Sequence, residues 1–105
     1  MDSLQDLEKS TGIKTKVINE ISELAFKYNI NRVILFGSRA RGDFWRASDI
    51  DLAVSGGNIT SFSLDVEDFT STLLMYDVVD LDRHASDELG EEIRRDGKLL
   101  YEKVR

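Results

Sequence analysis

With 105 residues, 41% of them hydrophobic and 32% charged, the chain is long enough for one domain with a single core and too short for two. Its formal net charge of −6 is the reverse of the basic surface by which proteins wrap nucleic acid, which argues against DNA or RNA polymerisation. The absence of cysteine, of a signal peptide and of any apolar run near ~20 residues excludes disulfide scaffolds and membrane spans and favours the cytoplasm.

The hydrophobic pattern predicts helices and strands that alternate along the chain. A short helix at residues 3–9, capped by Ser3, is broken by Gly12. An amphipathic helix follows at 13–28, and Asn29 is a left-handed stop for it. The remaining elements are predicted in this order: a strand at 32–36, a helix at 38–42, a strand at 49–55, a helix at 61–74, a strand at 76–81, a helix at 87–95 capped by Ser86, and a last strand or extended tail at 99–104.

This alternation implies one layered α/β domain over residues 1–105, with residues 1–12 as a helical extension. The predicted helix at 61–74 has Ser61 as its candidate cap. The apolar residues of that helix recur at helical spacing and are predicted to share one face: Phe62, Val66, Phe69 and Leu73.

The most informative stretch connects the strand at 32–36 to the strand at 49–55. The first strand ends in Gly37 and Ser38, where glycine lets the backbone approach a ligand closely and the amides of the next turn can bind an anion. In the second strand, Asp49 and Asp51 share one face because successive side chains alternate. Two carboxylates so close repel each other, and oxygen-only ligands favour Mg²⁺ or Mn²⁺ over zinc. An oxygen-lined metal site beside an anion cradle suits a metal-bound nucleoside triphosphate.

Metal-assisted attack on a phosphate calls for a third carboxylate, which completes the metal or accepts the proton of the nucleophile. The strand at 76–81 and the residue after it offer Asp77, Asp80 and Asp82. In a regular strand Asp77 and Asp80 face opposite sides, so periodicity alone does not choose between them. Asp82, nearer the end of the strand, is predicted to be solvated.

Other polar and aromatic residues between the two strands have more than one interpretation each. Arg39 and Arg41 are candidates to neutralise triphosphate charge, but two positions along a helix do not share a face, so at most one is expected to point inward. Ser48 can bond either the turn or a phosphate. Phe44 and Trp45 can stack on a base, meet a partner protein or pack against the first helix.

The pattern from Gly37 to Asp51, Gly-Ser followed by ten residues and Asp-x-Asp, resembles the signature of the DNA polymerase β-like nucleotidyltransferases. The segments ILFGSRARG and SDIDLAV are similar to those of the minimal nucleotidyltransferases of prokaryotes, including the MntA-like antitoxins, and the resemblance covers about residues 13–103. It implies a mixed β-sheet with helices packed on one face and the other face open to nucleotide. In that family the third acid opens an Asp-apolar-apolar segment, which matches Asp77.

The resemblance also implies roles for these residues. Asp49, Asp51 and Asp77 would be the catalytic and metal-binding acids, and Gly37 and Ser38 would hold the β- and γ-phosphates. We expect transfer of a nucleoside monophosphate, AMP from ATP, to a hydroxyl of a protein or small-molecule acceptor with release of pyrophosphate.

Relatives of this size that are encoded beside a HEPN-domain or substrate-binding helical protein resemble antitoxins that nucleotidylate that partner. Because 105 residues leave no room for an acceptor-binding domain, we expect a heteromeric complex with such a partner, or a homodimer. One alternative is a non-catalytic partner-binding module, against which the three costly carboxylates argue. Another is an aminoglycoside-type nucleotidyltransferase, against which the small size argues.

Overall fold

A computed structural model describes residues 4–84 and 86–104 of the chain. The predicted helices and strands are found there with bounds that differ by at most two residues, except for the fourth helix, which ends earlier than predicted. The elements are α1 (Leu4–Thr11), α2 (Thr15–Lys27), β1 (Arg32–Phe36), α3 (Gly37–Arg41), β2 (Ile50–Ser55), α4 (Ile59–Phe69), β3 (Tyr76–Asp80), α5 (Asp87–Asp96) and β4 (Lys98–Glu102). The proposed cap Ser3 lies outside the described residues. In the described part of the chain, none of these helices has the length and apolar character needed to cross a membrane.

The four strands form one mixed sheet in the order β3-β2-β1-β4. β1 is antiparallel to both β2 and β4, whereas β2 and β3 are parallel. This confirms the predicted fold class. The C-terminal segment, for which a strand and an extended tail were both open, pairs with β1 as a strand, with an irregular register between Val33 and Ile34.

One face of the sheet is buried beneath α2 and α4. The β2 residues on this face, Ile50, Leu52 and Val54, are 0% exposed. They belong to a single apolar cluster to which β1, α2 and α4 also contribute, as the helical spacing of apolar residues predicts. Asn29 adopts a φ of 60° after α2, which confirms its predicted role as a left-handed stop.

The fourth helix differs from its prediction at both ends. It begins after Asn58, whose side-chain oxygen accepts a hydrogen bond from the amide of Ser61 at 3.2 Å. Asn58 is therefore the cap, and the prediction of Ser61 as the cap was wrong. It ends at Phe69, because the Ser71 amide and hydroxyl bind the Glu20 carboxylate at 2.7 Å each instead of continuing the helix. Phe62 and Val66 are therefore buried as predicted, but Phe69 is 65% exposed and Leu73 fully exposed.

The opposite face of the sheet is covered in part by α5, which contacts the inner strand β1. Ile34 lies on this face together with Asp51, since side chains alternate along each strand and Ile34 pairs with Ala53. Gly97, which follows α5, sits so close to Ile34 that an added Cβ would lie 3.0 Å from the Cγ2 atom of Ile34. α5 also contacts α3, and none of its residues is fully buried. The part of this face that carries Asp51 remains open.

Candidate active site

The strand register brings two of the three predicted acids side by side. Asp51 pairs with Phe36 of β1 and with Asp77 of the parallel strand β3. Directly paired residues on neighbouring strands point to the same face, so Asp51 and Asp77 lie together above the open part of the sheet. Asp49 directly precedes β2 rather than lying within it. Asp51 is half-buried, whereas Asp49 and Asp77 are exposed.

Asp51 is the electrostatic centre of this group. Its pKa is raised to about 6, first by burial and then by the negative charges of Asp77, Asp49 and Glu92, while Arg41 acts in the opposite direction. Asp49 and Asp77 therefore lie close enough to Asp51 to act on it electrostatically, and the negative charge around Asp51 exceeds what Arg41 offsets.

Gly37 is required by the position of Asp51. It has a φ of +74°, in the left-handed region that favours glycine, and an added Cβ would overlap the Oδ2 atom of Asp51. The backbone at the start of α3 can approach the acid only because this residue has no side chain. The predicted anion cradle and the predicted acids are thus adjacent in the folded chain.

Ser38, the second residue of the predicted cradle, is half-buried in the first turn of α3. Its carbonyl accepts a hydrogen bond from the amide of Gly42 at 2.8 Å, which closes this short helix. Gly42 ends the helix with a φ of 96°.

Glu92 of α5 was missed by the sequence interpretation. Its Oε2 atom accepts a hydrogen bond from the Gly37 amide at 3.1 Å and lies 3.6 Å from the Nη1 atom of Arg41. Nothing in the local pattern distinguishes it from its neighbour Glu91, which is exposed and pairs with Arg94. Only the docking of α5 against β1 and α3 carries Glu92 into the site.

Asp80 and Asp82 lie away from the acid cluster. Asp80 pairs with Val54, a residue of the buried face, and so lies on the side of the sheet opposite to Asp51. Its carboxylate accepts a hydrogen bond from the Asp82 amide at 2.9 Å and lies 4.0 Å from Arg83. Asp82 is exposed and accepts a hydrogen bond from the Gly56 amide at 2.9 Å. Of the alternatives that periodicity left open, Asp77 is the one beside Asp51.

The two arginines of α3 occupy different environments. Arg39 is 1% exposed, and Phe44 stacks on its guanidinium, 4.9 Å from the ring centroid. That guanidinium donates to four main-chain carbonyls, those of Thr11 (3.0 Å), Trp45 (3.3 Å), Arg46 (3.0 Å) and Ser48 (3.0 Å). Arg41 is exposed and lies between Glu92 and Asp43, with its Nε 3.3 Å from an oxygen of Asp43.

The loop between α3 and β2 is held in place by Arg39 and by Ser48. The Ser48 hydroxyl accepts a hydrogen bond from the amide of Trp45 at 2.8 Å, so of its two interpretations the structure shows the turn contact. Phe44 packs on Arg39 and beside Gly12, whereas Trp45 is 82% exposed. This loop ends at Asp49 and therefore sets its position.

Within residues 4–84 and 86–104, no group of three or more His, Cys, Asp and Glu side chains converges enough to hold a metal by itself. The donor set nevertheless fits Mg²⁺ or Mn²⁺, because Mg²⁺ is commonly bound by one or two carboxylates together with water and the phosphates of a substrate. The raised pKa of Asp51 reflects burial and negative charge that a divalent cation would offset. Asp49, Asp51 and Asp77 therefore suit a cation that is bound together with a triphosphate.

Comparison with known proteins gives a family match over most of the chain. A profile of the family described as Polymerase beta, Nucleotidyltransferase matches residues 19–105. A protein of Methanocaldococcus jannaschii, named as a candidate protein adenylyltransferase, is 42% identical over 67 residues. That alignment covers 61% of this chain and 65% of the relative, just under two thirds of its length.

Several solved structures share the fold. A toxin–antitoxin structure with AMP-PNP is 28% identical, with a TM-score of 0.66 over 82% of this chain and 73% of that chain. A mutant MntA-HpeT toxin–antitoxin structure is 26% identical, with a TM-score of 0.65 over the same shares. A candidate nucleotidyltransferase from Sulfolobus solfataricus is 27% identical, with a TM-score of 0.52 over 98% of this chain and 90% of that chain.

Proposed function

This chain belongs to the polymerase β nucleotidyltransferase family, and from the geometry of its acids we propose that it transfers AMP from ATP to a hydroxyl group of a partner protein and releases pyrophosphate. The observation that carries this proposal is the position of Asp51, which lies against Gly37 on one side and beside Asp77 on the other. A half-buried acid between a second acid and a backbone cradle suits a metal-bound triphosphate better than it suits a packing surface.

We assign the following roles to the residues of this site. Asp49 and Asp51 hold Mg²⁺ or Mn²⁺, and Asp77 is the third acid. When bound with the triphosphate, the cation supplies Lewis-acid stabilisation of the charge that develops on the phosphate oxygens. Gly37 and Ser38 bind the β- and γ-phosphates, so that the α-phosphorus lies in line with the acceptor.

In the transfer step, the acceptor oxygen forms a bond to the α-phosphorus while the bond from the α-phosphorus to the bridging oxygen of pyrophosphate breaks. The proton of the acceptor hydroxyl passes to the carboxylate of Asp77. Because Asp77 is exposed, an acceptor from another chain can reach it.

For the remaining nucleotide-binding candidates we assign different roles. Arg41 is exposed beside the Gly37 amide and is the arginine that contacts phosphate. Arg39 and Ser48 hold the loop that ends at Asp49, and their hydrogen bonds to that loop support a positioning role. Trp45, exposed on the same loop, is available to a base or to the partner protein.

A protein acceptor is supported by the structures to which the chain is similar. Two of them are toxin–antitoxin structures, and one of these is a structure with AMP-PNP, an ATP analogue. We propose that the acceptor is a HEPN-domain or other helical protein encoded beside this chain, and that both proteins act in the cytoplasm. The absence of cysteine is consistent with that compartment.

A homodimer is the competing assembly, and the mass of the purified protein distinguishes a homodimer from a complex with the partner.

The deciding experiment incubates the chain and the product of its neighbouring gene with Mg²⁺ and ATP that is labelled at either the α- or the γ-phosphate. Transfer of AMP labels the partner from α-labelled ATP and not from γ-labelled ATP. Asp49→Asn/Asp51→Asn abolishes the labelling. Asp77→Asn and Asp80→Asn are a matched pair on one strand, and only the first is expected to lose activity.

Two results would contradict this function. Tight partner binding that survives the double substitution, without label from any of the four nucleotides, would identify a non-catalytic binding module. Transfer to aminoglycosides with none to the partner would identify a small-molecule nucleotidyltransferase.

A further inference from the structure

The carboxylate of Glu92 occupies positions that the proposed function assigns to phosphate. Its Oε2 atom accepts the hydrogen bond of the Gly37 amide at 3.1 Å, and the same atom lies 3.6 Å from Arg41. Both groups are donors of the proposed nucleotide site. The single N–H of Gly37 cannot bind this carboxylate oxygen and a phosphate oxygen at the same time, and the nearby carboxylate also offsets part of the charge of Arg41.

Glu92 also adds charge to a cluster that is already acidic. It is one of the groups whose negative charge acts on Asp51, together with Asp77 and Asp49. A triphosphate that bound beside Glu92 would meet this carboxylate at close range, which disfavours the bound state. Binding with Glu92 in place therefore suffers both from the loss of donors and from repulsion.

The helix that carries Glu92, α5, has few buried contacts with the rest of the fold. None of the residues of α5 is fully buried, and the side chain of Glu92 is 30% exposed. Elements with few buried contacts move at low free-energy cost. A change of the Glu92 rotamer, or a small shift of α5, is enough to free the Gly37 amide and Arg41.

We propose that Glu92 is an internal competitor of the nucleotide: in the free chain its carboxylate holds the Gly37 amide and Arg41, and the triphosphate must displace it. This inference rests on the proposed function and adds a form of regulation to the same site. The apparent affinity for nucleotide is then the intrinsic affinity multiplied by the fraction of molecules in which Glu92 does not occupy the Gly37 amide and Arg41. Any contact that draws α5 away raises that affinity without touching the catalytic acids.

The test measures binding of ATP with Mg²⁺ by calorimetry in the full chain and in two matched variants. Glu92→Gln has nearly the same shape but no charge, and it is expected to bind ATP about five-fold more tightly or better. Glu91→Gln removes the same charge from the adjacent, exposed position and is expected to leave affinity within about two-fold. A purely structural role of Glu92 would instead weaken binding or leave it unchanged.

A second readout follows the Gly37 amide by nuclear magnetic resonance, with inorganic tripolyphosphate and Mg²⁺ as the probe. In Glu92→Gln this amide is expected to shift in the free protein and to respond to tripolyphosphate at lower concentration than in the unmodified chain. Equal or weaker binding by Glu92→Gln, or an equal gain in Glu91→Gln, overturns the inference even where AMP transfer is observed.

The two proposals fail separately. If no AMP is transferred but tripolyphosphate binds Glu92→Gln more tightly and perturbs Gly37, the competitor role stands and the catalytic proposal falls. If neither ATP nor tripolyphosphate binds any of these proteins, both are wrong.

Discussion

The two faces of β2 show how one short strand serves both stability and chemistry. Ile50, Leu52 and Val54 lie on one face, fully buried under α2 and α4. Asp51 lies between two of them in sequence but points to the other face, where its charge is offset only in part and which α5 covers only in part. The first face makes a rigid base, and the second face uses that base to hold an acid that would be unfavourable in a core.

Because the two faces differ in this way, substitutions one residue apart on β2 should have opposite effects on stability and on catalysis. Changes on the buried face should lower stability and leave the chemistry of the folded molecules intact. Changes on the open face should abolish chemistry and leave stability unchanged or improved, because repulsion among carboxylates is relieved.

The largest effect is expected for Asp51→Asn. Loss of this carboxylate would weaken the site that holds the divalent cation, which would supply charge stabilisation to the transferring phosphate, and AMP transfer should fall about 10²- to 10³-fold. The rate of partner labelling under single-turnover conditions measures this, and circular dichroism checks that the fold is retained. A variant that keeps more than about half of the rate would remove Asp51 from the mechanism.

Leu52→Ala tests the other face. Truncation of a fully buried leucine should lower the free energy of unfolding by about 3 kcal/mol, since it removes apolar contacts and leaves a cavity. Urea titration measures the change. Transfer activity per folded molecule at low temperature should match the unmodified chain, and a large loss there would show that the two faces are not separable.

The two arginines of α3 sharpen the comparison, because one lies inside the structure and the other at the open surface. Arg39→Lys should destabilise the chain by about 2 kcal/mol, since lysine cannot reach all the carbonyls that Arg39 binds. Arg41→Gln should leave stability nearly unchanged and weaken ATP binding about three-fold. Thermal unfolding measures the loss of stability, and calorimetry measures the loss of ATP affinity. If Arg41→Gln lowered stability and Arg39→Lys weakened ATP binding instead, the roles assigned to the two arginines would be exchanged.

The smallest effect is a pH dependence of stability in metal-free buffer. The pKa of Asp51 is about 6 in the folded chain and about 4 when unfolded, so its ionised form disfavours folding. This unfavourable contribution is complete above pH 6 and disappears below pH 4. Asp51→Asn should therefore raise the melting temperature at pH 7.5, with an advantage that shrinks as the pH falls from 6 to 4. Asp68→Asn, at an exposed position on α4, is the control and should show no such trend.

Most of the fold could be predicted from local patterns. Apolar periodicity, together with helix caps and glycine stops, predicted the helices and strands of the described residues, because a strand buried on one side and an amphipathic helix each impose a repeat on their own sequence. The fourth helix was predicted too long because its end depends on a distant contact between Ser71 and Glu20, which no local pattern contains. The cap at Asn58 was missed because Ser61, three residues further on, is an equally good cap by composition.

The sequence by itself predicted one site for Gly37, Ser38, Asp49 and Asp51, since these residues flank a single connection between two strands. Backbone alternation sets the face of Asp51, whereas Asp49 lies just before β2. The family resemblance pointed to Asp77 as the third acid, and the pairing of β3 with β2 brings Asp77, rather than Asp80, beside Asp51.

Only the tertiary structure decided which arginine of α3 is buried and that Glu92 reaches the Gly37 amide. Those outcomes depend on how elements far apart in sequence pack together. That packing is set by long-range burial and hydrogen bonding, which leave no periodic trace in any one segment.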